Sequence, residues 1–160
     1  MASYLEILEA TTLLSETIGN EPWLLLTDAV KTASLVQASL ILDSNFDWFG
    51  TISSENQDLR WPRTGVQDRV GRTIASDSAP SIIKQATVAL ASYLTQTGGV
   101  NVVANNVESL KVGPISLSFD SKESVNDQLV PRYVISMLSQ LGIYTGPTDG
   151  SSAYNVKVLR

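Results

Sequence analysis

Residues 57–72 read QDLRWPRTGVQDRVGR and hold four of the chain's eleven basic residues, Arg60, Arg63, Arg69 and Arg72, around Trp61 and Pro62. The stretch lies inside residues 44–79, which show no sustained helical period. A loop of that length is uncommon in a compact domain and is usually functional or disordered. Trp48, Phe49 and Trp61 speak for order, because disordered segments are poor in aromatics. Whether this stretch is a packed plug or an exposed grip decides how the helices on either side assemble.

Upstream, Leu8, Leu13, Leu14 and Ile18 predict a first helix within residues 7–18, stopped at Gly19-Asn20. Ser3-x-x-Glu6 offers an earlier start as a capping box, and the two starts stay open. Pro22-Trp23 opens a connector, and Thr27 or Asp28 caps a second helix running to about Asp43. Val30, Ala33, Gln37, Leu40 and Ile41 form one face of that helix, and Leu35, Ala38 and Leu42 another. A helix apolar on two faces is expected to be buried from several sides.

Downstream, Pro80 suits the first turn of a third helix to about Gln96, with Ile83, Ala86, Leu90 and Leu94 as its buried stripe. VESLKVGPISLSF, residues 107–119, alternates apolar and polar residues about Gly113-Pro114. That pattern reads as a β-hairpin or a bent strand. Pro131 opens a fourth helix with Val134, Ile135, Leu138 and Leu141 inward and Gly142 at its end. Tyr154, Val156 and Val158 alternate near the terminus, either as an arm that pairs with another chain or as a frayed end. The expected fold is mainly α: a four-helix bundle-like domain over residues 1–142, with a long loop after helix two and a β-hairpin at about 107–119. Residues 143–160 form an extended C-terminal arm in this reading.

Composition narrows the chemistry. At 160 residues the chain fits one domain. It has no cysteine and no histidine, which removes thiolate sites, disulfides, the usual general base and every Ser-His-Asp arrangement. No phosphate-binding glycine loop, zinc motif or Ca²⁺ loop is present. DSNFD at 43–47 and DSKESVND at 120–127 lack the ligand spacing and turn glycine of a Ca²⁺ site. Glu6, Glu9, Glu16 and Glu21 read as a solvated face. Neither catalysis nor a metal or other cofactor is expected. No apolar run is long enough for a membrane helix, and the N-terminus lacks a secretory pattern, so a cytosolic origin is expected. The net charge of −5 argues against binding nucleic acid through bulk positive charge.

The opening stretch therefore carries two readings. In one, Trp61 stacks a base while the arginines track a phosphate backbone. In the other, Trp61 plugs the space between helices two and three, Pro62 stiffens the loop, and the arginines pair with Asp43, Asp47, Asp58 or Asp68. A single aromatic among four arginines favours the structural or interface reading.

KTASLVQASLILD, LRWPRTGVQDRVGRTIASDSAPSIIKQATVALASYL and VESLKVGPISLSF ahead of VPRYVISMLSQLG together resemble a known family over residues 4–142. The order and spacing look like tailed-phage proteins labelled DnaT-like single-stranded-DNA-binding, and are similar to phage head–tail adaptors, also called connector or head-completion proteins. The WPR-G element ahead of a helix opening at Ala-Pro is the more specific part. The chain departs from the pattern at EILEATTLL, and the tail after 142 lies outside the resemblance. The adaptor resemblance implies a virion structural protein made in the host cytoplasm. Its partners would be copies of itself in a dodecameric ring, the portal, and tail or neck proteins, with DNA only as passing cargo. Arg60, Trp61, Pro62, Arg63, Arg69 and Arg72 would then anchor the loop or an interface, and Tyr154, Val156 and Val158 the arm. The DnaT-like label implies direct single-strand binding instead. The acidic, charge-poor composition favours the adaptor.

Overall fold

The computed structural model describes residues 2–97, 109–112, 115–118 and 129–147, the two middle segments as backbone strands. Its frame is set by two long helices. The first, α3 (Asp28–Asn45), starts where the Thr27 hydroxyl accepts the Val30 N–H at 3.4 Å. The second, α4 (Ser81–Gln96), starts on Pro80, whose extended ψ of 152° sets the entry to the helix. α3 and α4 share the most extensive helix contact, and α4 also touches α1 (Ile7–Ser15), the short α2 (Glu21–Leu24) and α5 (Arg132–Leu138). The Ile83, Ala86, Leu90 and Leu94 stripe of α4 is buried, so its 3.6-residue period sits at the centre of the core.

One of the two apolar faces of α3 is fully covered, and the other only at Ile41. Leu35, Ala38, Ile41 and Leu42 are buried, whereas Val30 and Leu40 are exposed. α2 occupies the expected connector. Four residues cannot hold a helix by themselves. Trp23 holds this one, fully buried, with its indole N–H donating to the Thr11 hydroxyl at 3.3 Å. Burial of such a ring contributes roughly 4 kcal/mol. Ser3 does not act as a capping box; its hydroxyl lies 3.4 Å from that of Ser39, and α1 begins after Glu6 without a side-chain cap.

The region expected to lack regular structure contains three short strands: β1 (Phe46–Trp48), β2 (Thr51–Ile52) and β3 (Arg63–Thr64). β2 and β3 pair antiparallel, Thr51 with Thr64 and Ile52 with Arg63. β4 (Ser109–Val112) and β5 (Ile115–Ser118) pair antiparallel, with Val112 opposite Ile115. α5 stops at Leu138, and Gly142, expected as a helix stop, instead opens strand β6 (Gly142–Tyr144). β6 pairs antiparallel with β1: Phe46 with Tyr144, Asp47 with Ile143, Trp48 with Gly142. A Cβ at 142 would come within 2.8 Å of the Asp47 carbonyl oxygen and press on Trp48, so glycine is required by close approach.

The four-helix bundle expectation is therefore corrected. Among the described residues the chain is a mixed α/β small domain of five helices and three two-stranded antiparallel sheets. Strands of two or three residues are too short for alternation to register as a period. Among the described residues no helix is long and apolar enough to cross a membrane.

Candidate functional site

Trp61 is buried at 2% exposure and belongs to a ladder of rings. It meets Trp48 edge-on, with centroids 5.9 Å apart. Trp48 stacks on Phe46 at 5.0 Å, and Phe46 meets Tyr144 edge-on at 5.3 Å. The ladder ties the loop to the β1–β6 ribbon, and such pairs add about 0.5–1.5 kcal/mol each beyond burial. Trp61 has no face left for a base. The Trp61–Pro62 peptide is cis. The Pro62 carbonyl accepts the Ser53 N–H at 3.2 Å and the Gln57 side-chain amide at 3.1 Å.

Arg63 is spent on the backbone. Its Nε donates to the Phe49 carbonyl at 2.7 Å, Nη2 to Gly50 at 2.7 Å, and Nη1 to Arg60 at 3.2 Å. Desolvation, then the Arg60 charge, lowers its pKa from the usual guanidinium range. The backbone N–H of Arg60 donates to Asp43 Oδ2 at 3.0 Å, and the Tyr4 hydroxyl donates to Asp43 Oδ1. Asp43 thus joins the N-terminal segment, the end of α3 and the arginine loop. Burial raises the pKa of Asp43, and burial followed by the Asp43 charge raises that of Tyr4. The Trp48 indole N–H lies near enough to Asp43 to favour the carboxylate, yet its distance and angle make no hydrogen bond; Trp61 Nε1 also lacks a partner among the described residues.

Arg69 and Arg72 flank a tight turn closed by Asp68. Asp68 Oδ1 accepts the N–H groups of Val70 at 3.0 Å and Arg72 at 2.9 Å, and Oδ2 accepts Arg72 Nε at 2.8 Å. The Arg72 backbone N–H, ahead of its side chain, holds the Asp68 pKa below the ordinary carboxylate value. Arg69 Nη2 donates to Ser139 Oγ at 2.7 Å, at the end of α5. Val70 stands exposed at the tip.

The alternation of β1 separates two environments. Phe46 and Trp48 point inward; Asp47 points outward, and Phe49, one residue past the strand, is 43% exposed on that same side. The Phe49 N–H still donates to Leu141 at 2.9 Å, so the pairing with the β6 side continues there. Ile143, directly opposite Asp47, is 59% exposed. The outward face therefore presents Phe49, Asp47 and Ile143. Arg63 is fixed to the Phe49 carbonyl, and the exposed Arg60 side chain has no ion pair or hydrogen bond among the described residues. Trp61 takes the packed, loop-anchoring place expected of it, and the exposed aromatic beside it is Phe49, which the alternation of Phe46-Asp47-Trp48-Phe49 sets on the outer side.

A separate groove of about 500 Å³ lies between the N-terminal segment and α3, lined mainly by Leu5, Ile7, Leu8, Leu35 and Val36. It offers no cation and does not suit a phosphate. Among the described residues no three acidic side chains converge to hold a metal ion. Tyr154, Val156 and Val158 lie outside the described residues.

A family model described as "Putative DnaT-like ssDNA binding protein" matches residues 1–160. No curated protein and no solved structure matches the chain. The match includes the tail that the sequence resemblance left out. It also corrects the virion expectation: the family is described by single-stranded DNA and not by a head–tail adaptor, connector or neck ring.

Proposed function

We propose, from the premise that the chain belongs to this DnaT-like ssDNA-binding family, that it binds single-stranded DNA on the outward face of the β1–β6 ribbon. The whole-chain family match carries the reading, and the geometry supports the location. Single-strand binding needs an exposed aromatic face for bases and cations along the backbone path. Phe49 supplies the first. Arg60 supplies the second, joined by Arg69 and Arg72 of the neighbouring loop when a phosphate displaces their exposed bonds to Ser139 and Asp68. Trp61 and Arg63 act beneath them as supports: one buries the loop, the other pins the carbonyls of Phe49 and Gly50. In an acidic chain the affinity rests on this local grouping rather than on overall charge.

The test is anisotropy of a labelled oligothymidylate at low salt. Phe49→Ala is expected to weaken binding by about 1–3 kcal/mol, the usual contribution of one stacked base. Arg60→Ala is expected to weaken it further and leave the circular dichroism spectrum unchanged, because neither side chain is buried. Tight binding that both variants retain would place the strand elsewhere; no binding at low salt sinks the reading.

A further inference from the structure

We propose that Asp47 reads the Watson–Crick edge of a base stacked on Phe49, giving a preference for guanine over thymine; this rests on the single-strand reading above. Three observations converge. Asp47 is exposed on the same face as Phe49, two residues along an extended segment, which places the two about 7 Å apart. A base lying over the Phe49 ring extends its edge over that span. The Asp47 carboxylate has no hydrogen bond or ion pair among the described residues; Arg63, whose charge it feels, directs its donors to three backbone carbonyls and leaves both carboxylate oxygens open. Ile143, opposite Asp47 in the ribbon, adds apolar surface beside the carboxylate.

A carboxylate accepts through two oxygens and donates nothing. Among unpaired bases only guanine presents two adjacent donors on its pairing edge, N1–H and the N2 amine, which match both oxygens. Cytosine and adenine each present one amine beside an acceptor nitrogen. Thymine presents a single N3–H between two carbonyl oxygens, which repel the carboxylate. Unstacked bases are commonly read on this edge while held on an aromatic ring. A carboxylate placed only to solvate the face would behave differently, lowering affinity for every strand equally through repulsion of phosphates.

The experiment compares three labelled strands with the full chain: oligothymidylate, the same strand with guanine at spaced positions, and that strand with inosine replacing guanine. The wild-type chain is expected to bind the guanine strand about tenfold more tightly than oligothymidylate, the lower range for a bidentate base contact. Inosine, which lacks the N2 amine, should fall between them. Asp47→Asn and Asp47→Ala should bring guanine and thymine strands within about twofold, while binding oligothymidylate as tightly as the wild type or more so. A wild-type chain that binds all three strands equally overturns the inference and leaves the single-strand reading standing. So does a guanine preference that survives in both variants. A chain that binds none of the strands overturns both.

Discussion

At the residue scale, the same side chain type takes opposite roles according to what surrounds it. Trp61, bracketed by Arg60 and Arg63, has the composition of a base-stacking site, yet it is locked in the ring ladder, while Phe49 stays exposed. Sequence supplies the residue types; burial, which depends on β6 arriving beside β1, decides the roles. Tyr4 and Asp43 extend the point. Thirty-nine positions apart, they meet through one hydrogen bond that no local pattern announces. Their link has a consequence for alkaline stability. The folded chain holds the Tyr4 proton well above the ordinary phenol value of 10.0, because burial and then the Asp43 charge oppose the phenolate. The unfolded chain releases that proton near 10.0. Above that pH the unfolded state binds fewer protons than the native state, so stability falls as pH rises. Tyr133, half-shielded and also raised by burial, adds to the same slope. Urea unfolding from pH 9 to 11 should show wild-type stability declining, and Tyr4→Phe should be less stable at pH 9 but decline less steeply. Equal slopes for both proteins would remove Tyr4 from the effect.

At the scale of elements, length governs what was readable. The stripes of α3 and α4 repeat over several turns, and both helices lie within a few residues of their expected positions. The 109–112 and 115–118 pair carries four residues of alternation on each side of Gly113-Pro114. β2 and β3 carry two residues each, and their pairing depends on backbone geometry that composition does not encode. Gly50 provides that geometry. Its φ of +72° lies in the left-handed region, and a Cβ there would fall inside contact distance of the Thr64 carbonyl and the Val66 side chain. It also delivers its own carbonyl to Arg63 Nη2. Gly50→Ala should therefore cost at least about 2 kcal/mol, combining the unfavourable φ with displacement of β3. Gly65 has a similar φ of +77° but open space around it, so Gly65→Ala should cost about 1 kcal/mol, the conformational part alone. Denaturation midpoints of the two variants measure the difference, and equal losses would mean that the Thr64 contact yields freely.

At the scale of the molecule, charge is the property that separates a local grip from a basic surface. The chain carries a net −5, and of the arginines in residues 57–72 only Arg60 has a side chain without a hydrogen bond or ion pair among the described residues. Arg69 and Arg72 sit in exposed hydrogen bonds worth little, and a phosphate can draw them away. Arg63 cannot leave without freeing three carbonyls. Binding should then neutralise about three phosphates, and with roughly 0.7 counterion released per phosphate on single strands the slope of log K against log salt should be about −2. Raising salt from about 50 to 200 mM would weaken binding by about tenfold to twentyfold. Arg60→Ala should lower the slope by about 0.7. Arg63→Ala should also lower the melting temperature, because it removes a structural support. A wild-type slope steeper than about −4 would require more cations than this face holds, and would assign the strand to basic residues beyond it.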